Sequence, residues 1–131
     1  LAKVASGGEL SRISLAIQVV VAQTSTTPTL VFDEVDVGVG GGVAEIVGRL
    51  LRELGQHAQV LCITHQPQVA SQGHQHWQVH KIQGDDTTHT RIQGLDETAR
   101  VEELARMLGG VEITESTRNH AKEMLSKAQA A

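Results

Sequence analysis

The feature that most constrains this chain is a short run of strand-forming residues, Thr29-Leu30-Val31-Phe32, that passes directly into two carboxylates, Asp33 and Glu34. A continuous apolar run of this length is the pattern of a central parallel strand, and the abrupt acids mark its carboxyl end. Beyond Gly38-Val39-Gly40-Gly41-Gly42, which reads as a flexible loop, Val43, Ile46, Val47, Leu50, Leu51 and Leu54 recur at three and four residues and stop at Gly55. That spacing predicts an amphipathic helix. Gln59-Val60-Leu61-Cys62-Ile63-Thr64 is a second buried strand, ending at His65, and Pro67 permits a short helix just beyond. Strand, helix and strand within about 35 residues form a βαβ unit, whose strands run parallel through a right-handed crossover. Both carboxyl ends then lie on the ligand side of an open sheet, so His65 and the Asp33, Glu34 and Asp36 cluster are expected to converge.

The flanks are simpler. Ser6-Gly7-Gly8-Glu9 fits the S-x-x-E capping box, and Leu10, Ile13, Ala16, Ile17 and Val20 follow at helical spacing, predicting a helix to about Thr24. Its stretch Leu15 to Ala22 is apolar on nearly every side except Gln18, which implies burial by more than one neighbour. Ser25-Thr26-Thr27-Pro28 is a polar turn. From His74 the period becomes two, with His74, His76, Gln78 and His80 on one face and Gln75, Trp77, Val79 and Lys81 on the other. Gly84-Asp85-Asp86 turns the chain and Thr88 to Ile92 returns as the second strand of a hairpin. Two helices close the sequence, one carrying Val101, Leu104, Ala105 and Leu108, the other Ala121, Met124, Leu125 and Ala128.

Composition sets outer bounds on function. The chain has 131 residues and a formal charge of −4, with 11 Lys and Arg against 15 Asp and Glu, which argues against a broad basic surface. No apolar run approaches the ~18 residues needed to span a membrane. Cys62, the single cysteine, cannot form an internal disulfide, and no signal peptide opens the sequence, so a reducing cytoplasm is expected. Phe32 and Trp77 are the only aromatics, leaving the core to Val, Leu, Ile and Ala. The start at Leu1 and a glycine motif within a few residues of it suggest a piece of something longer.

Three constellations could carry chemistry. At Ser6-Gly7-Gly8-Glu9 the glycines allow close approach and the free amides of a first helical turn favour a phosphate. At Asp33, Glu34 and Asp36, carboxylates suit Mg²⁺ and the orientation of an attacking water. His65 can donate to a phosphate oxygen. Each also has a plain structural reading, as a capped helix, a solvated strand end and polar punctuation. A Mg²⁺-dependent nuclease or phosphatase built on Asp33, Glu34 and Asp36 is one alternative, and a non-catalytic dimerisation or DNA-docking module another. A zinc site on His74, His76 and His80, with His89 across the hairpin, has too few partners to be preferred.

Taken in order, Ala5-Ser6-Gly7-Gly8-Glu9, the Thr29 to Glu34 strand and Ile63-Thr64-His65 resemble the signature motif, the Walker B strand and the switch-histidine strand of the ABC-type ATPase head. Ser-Gly-Gly-Glu-Leu-Ser-Arg, Phe-Asp-Glu-Val-Asp-Val-Gly, Leu-Cys-Ile-Thr-His-Gln-Pro-Gln-Val-Ala and the tail Met107 to Thr114 resemble most the SMC-like branch that acts in repair of DNA double-strand breaks. The resemblance implies an α/β fold, the partial sheet of a P-loop NTPase head with parallel strands, a C-terminal β-hairpin and flanking helices. It divides the chain into a signature helix (6–24), Walker B strand (29–34), D-loop (36–42), switch histidine (63–65) and C-terminal hairpin and helices (75–129). It further implies ATP and Mg²⁺ as cofactors, Asp33 on the metal, Glu34 polarising water and His65 sensing the γ-phosphate. Ser6, Gly7, Gly8 and Glu9 would clasp the γ-phosphate of a nucleotide held by a second head. Implied partners are the N-terminal half of the same head, a second head and DNA, with nucleoid association after DNA damage. Two departures stand out: G-x-x-x-x-G-K-[ST] occurs nowhere, so the P-loop half is absent, and Gly40 occupies the usual D-loop aspartate position. Gly38 and Gly40 would then communicate through backbone, with Asp36 taking part of the carboxylate's role.

Overall fold

A computed structural model of the chain describes residues 7–130. In order the elements are α1 (Gly7–Thr24), β1 (Thr29–Asp33), α2 (Gly41–Leu54), β2 (Gln59–Ile63), α3 (Pro67–Ala70), β3 (Trp77–Gln83), β4 (Thr88–Gly94), α4 (Glu97–Gly109) and α5 (Glu115–Ala130). β1 and β2 pair in parallel, Thr29 opposite Gln59 through Asp33 opposite Ile63, and β3 and β4 form an antiparallel hairpin. The expected βαβ order and C-terminal hairpin are both present.

Two cores hold these elements. The first gathers Leu15, Val19 and Ala22 of α1, Phe32 of β1, Ala44, Val47, Leu51 and Leu54 of α2 and Val69 of α3, with Val39 from the β1–α2 turn. Leu30, Val60 and Cys62 add the rest of one sheet face. The second is built on α4 and α5 from Val101, Leu104, Ala105, Ala121 and Leu125. Asp96 caps α4, its Oδ1 accepting from Ala99 N at 2.8 Å, so this helix starts where its side-chain chemistry dictates.

Three expectations need correction, and the hairpin adds a choice of face that its alternation leaves open. Gly41 and Gly42 are the first turn of α2 rather than loop, because Gly40 adopts the extended N-cap conformation and its carbonyl accepts from Ala44 N at 2.8 Å. β1 and β2 are buried on one face only: Val31, Leu61 and Ile63, which share the other face, are more than half exposed. Likewise, among the described side chains of α1, Leu15, Val19 and Ala22 are covered, while Ile13, Ile17, Val20 and Val21 are exposed. On the hairpin the Gln78 and His80 face is the partly buried one, turned toward α4, where Gln78 Nε2 donates to Glu103 Oε2 at 2.7 Å. The Trp77 and Val79 face is the open one.

The seam between α2 and α3 is close because Gly48 lacks a side chain. A Cβ there would lie 2.9 Å from the Gln68 carbonyl oxygen and 3.2 Å from Val69 Cα, both backbone atoms. Gly48→Ala is therefore expected to destabilise the protein by about 1–3 kcal/mol, against the roughly 1 kcal/mol that alanine gains over glycine in an open helix. Urea unfolding of the two proteins measures the difference.

Candidate functional site at the carboxyl ends of the parallel strands

The parallel register places Asp33 opposite Ile63, so the two chains leave the sheet side by side. Glu34 N donates to Ile63 O at 2.9 Å, extending the pairing one residue past the strand. Glu34 itself has φ +50°, a left-handed conformation that costs a non-glycine residue about 1–2 kcal/mol. It breaks the strand alternation there. Asp33, Glu34 and His65 are all exposed at this edge, which brings together three of the residues expected to carry chemistry.

Asp36 takes a different position. It is fully buried, its Oδ2 accepts from Thr64 Oγ1, and its Oδ1 has no partner among the described residues. An exposed three-carboxylate set of Asp33, Glu34 and Asp36 is thus not formed. Among the described residues no group of three or more His, Cys, Asp and Glu side chains could hold a metal ion. The zinc site considered for His74, His76 and His80 falls with it. Gly38 supplies a positive φ of 77° in the turn that follows, and Gly40 is the N-cap of α2. Gly7, Gly8 and Glu9 open α1, whereas Ser6 lies outside the described residues.

Cys62, on the inner face of β2, behaves as expected of a core thiol. Burial, with the nearby Asp36 carboxylate adding to it, pushes the thiol up to about 11, so it stays protonated and unreactive near neutrality.

Two features escaped sequence reasoning. Arg100 is buried: its Nη2 donates to the carbonyls of Ala70 (3.1 Å), Ser71 (3.3 Å) and Gly73, while Arg52 Nη1 reaches Gln72 O at 2.7 Å. Together they fasten the chain after α3 to both cores. Nearby, His74, His76, Trp77, Glu97, Arg100 and Gln129 help line a depression of about 400 Å³ at the base of the hairpin. No periodicity could signal either, since both depend on which helix the hairpin meets. Several other basic side chains are engaged in pairs, Arg49 with Glu45 at 3.4 Å, Arg106 with Glu103 at 2.6 Å, Arg118 with Glu102 at 2.6 Å and Lys127 with Glu123 at 3.4 Å.

No family model matches the chain. Its fold resembles solved SMC-type ATPase heads. One, from work on ATP-driven dimerisation and DNA-stimulated activation of SMC ATPases, superposes with a TM-score of 0.65 over 82% of this chain and 65% of its own, at 18% identity. The SMC head domain from Thermotoga maritima gives 0.57 over 71% of this chain and 34% of its own, at 29% identity. The fold is consistent with part of an ABC-type ATPase head of the SMC kind. Within that class the chain is homologous to a segment of the DNA repair protein RecN. Identity is 58% over 128 residues with the Vibrio cholerae protein, 57% over 125 with that of Haemophilus influenzae and 44% over 128 with that of Bacillus subtilis. These alignments take in 95–98% of this chain but only 22–23% of the relatives' length.

Burial, reinforced by the Arg100 charge, holds the His76 imidazole below its ordinary value. The folded state therefore resists a proton that the unfolded chain accepts near pH 6.5. Stability is fully present above that pH and falls as the pH drops through the lowered folded value, by at most about 1.4 kcal/mol per pH unit from this residue. His76→Gln is expected to flatten the loss of stability that sets in below about pH 6.5 in pH-dependent urea titrations.

Proposed function

We propose that this chain is the C-terminal lobe of an SMC- and RecN-like ATPase head, with α1 as signature helix, β1 as Walker B strand, the 36–42 segment as D-loop and His65 as switch histidine. The observation that carries this reading is the single edge at which Asp33, Glu34 and His65 emerge, held together by the parallel β1–β2 register and the Glu34 N to Ile63 O bond.

The donor set fits Mg²⁺ accompanying a nucleotide. One exposed strand-end carboxylate, with no all-protein cage among the described residues, matches an ion that keeps waters and phosphate oxygens as its other ligands. Asp33 would hold the metal, which supplies charge neutralisation when bound. Glu34, turned out of the strand by its left-handed backbone, would orient and polarise the attacking water. His65 would donate to the γ-phosphate and respond to its loss. Gly7, Gly8 and the other residues of the Ser6 to Glu9 motif would offer backbone amides at the start of α1 to a γ-phosphate held across a dimer.

Two partners belong to this reading, and a surface left bare supports the first. A two-stranded parallel sheet is not a stable unit when one face is open, and the exposed Val31, Leu61 and Ile63, with the open side of α1, support docking of the N-terminal, P-loop-bearing half of the head. A second head would complete the site, so that ATP closes two heads and hydrolysis releases them. Work in DNA double-strand-break repair and recombination, in the cytoplasm, is proposed from the likeness to RecN. Among the described residues no helix is long and apolar enough to cross a membrane. A nuclease or phosphatase on Asp33, Glu34 and Asp36 is disfavoured by the burial of Asp36.

Glu34→Gln in the full-length protein is expected to slow ATP hydrolysis by about 10²-fold or more while nucleotide-dependent dimers accumulate in sedimentation. Unchanged turnover would defeat the ATPase reading. Residues 1–131 alone should show no appreciable hydrolysis, and turnover by that fragment would defeat the assignment of a separate P-loop half.

A further inference from the structure

His65 is exposed, and what fixes its place lies on either side of it in sequence. Thr64 Oγ1 donates to Asp36 Oδ2 and accepts from Gln66 N at 2.9 Å. Gln66 Nε2 donates to Val39 O at 2.9 Å, and Ile63 O accepts from Glu34 N at 2.9 Å. Residues 63, 64 and 66 are thus all bonded to the turn formed by residues 34–39, and His65 sits between the bonded positions.

That turn is itself anchored. Val37 N donates to Glu34 O at 3.3 Å and Val39 N to Asp36 O at 3.1 Å, the Val39 side chain is buried in the first core, and Gly38 supplies the positive φ that closes the turn. Asp36 is 0% exposed, and the bond from Thr64 is its side chain's one hydrogen bond among the described residues. A bond to a buried carboxylate is stronger than one between neutral groups, and losing it leaves that carboxylate uncompensated in the interior.

We infer that Asp36 and Thr64 are positioning residues, a buried latch that sets His65 against the Glu34 edge and makes its place depend on the conformation of the 36–39 turn. The inference rests on the head reading above, in which His65 meets the γ-phosphate. It gives Asp36 a role within its own lobe: a displacement of the turn would be felt at His65 through Thr64 and Gln66 together.

The test is steady-state ATP turnover by the full-length protein carrying Thr64→Val, Thr64→Ser or Asp36→Asn, each alone and combined with His65→Ala. Thr64→Val, which keeps the volume and removes the hydroxyl, is expected to lower kcat about tenfold with KM for ATP changed less than about twofold, since small misplacement of a reacting group is enough for such a loss. Thr64→Ser should recover most of it. In the His65→Ala background neither Thr64→Val nor Asp36→Asn should cost anything further. Asp36→Asn keeps the shape and removes the charge, and carries the test should Thr64→Val fail to fold. An unchanged kcat in Thr64→Val, or the same fractional loss with and without His65, overturns the latch while leaving the head reading intact. If His65→Ala alone leaves turnover unchanged, the head reading fails and the latch with it.

Discussion

Everything at the proposed site depends on the parallel pairing of β1 with β2. The helix between the two strands forbids a hairpin, and the burial of Phe32, Leu30, Val60 and Cys62 on a single face fixes the register, because a slip of one residue would turn each of them outward. Once Asp33 stands opposite Ile63, Glu34 and His65 have to leave the sheet together. The Glu34 N to Ile63 O bond and the buried Asp36 to Thr64 contact then continue the pairing beyond the last regular residue. The site is an extension of the sheet, so its geometry inherits the rigidity of the core beneath it.

Below that edge, the packing couples two bodies through polar ties. Arg52 Nη1 and Arg100 Nη2 donate to the carbonyls of residues 70–73, the segment that leads from α3 toward the hairpin. The ion pairs of α4 and α5 are more exposed, and pairs of that kind contribute little on their own. Their effect on charge matters more: with Arg106, Arg118 and Lys127 each beside a glutamate, α4 and α5 do not present a continuous basic face. Any contact with DNA by the intact protein would then draw on surfaces shared with other segments.

The sequence is most informative where periodicity decides burial. α4 and α5 follow their apolar stripes, α2 follows its own at Val47, Leu51 and Leu54 but leaves Val43 and Ile46 exposed, and the strand ends at Asp33 and Ile63 fall where the apolar runs stop. It misleads where a face looks apolar but has no neighbour among the described residues, as on Val31, Leu61, Ile63 and the Ile13 and Ile17 side of α1, because an apolar run reports a capacity for burial and says nothing of what covers it. Gly41 and Gly42 suggest loop because glycine disfavours helix, yet the extended Gly40 and the buried Ala44, Val47 and Leu51 behind them start the helix there. Asp36, Thr64 and Arg100 were illegible for a different reason. Their partners lie 27 to 30 residues away, and only the fold says that a polar side chain will turn inward to meet them.

The central claim is that the edge formed by Asp33, Glu34 and His65 faces the terminal phosphate of ATP. A structure of the full-length protein with Mg²⁺ and a non-hydrolysable ATP analogue tests it most directly. The account predicts the metal on the Asp33 side, Glu34 turned toward the γ-phosphate where water attacks, and His65 within hydrogen-bond reach of a γ-phosphate oxygen. A nucleotide bound away from the carboxyl ends of β1 and β2, with these three side chains facing solvent in a closed dimer, would contradict it.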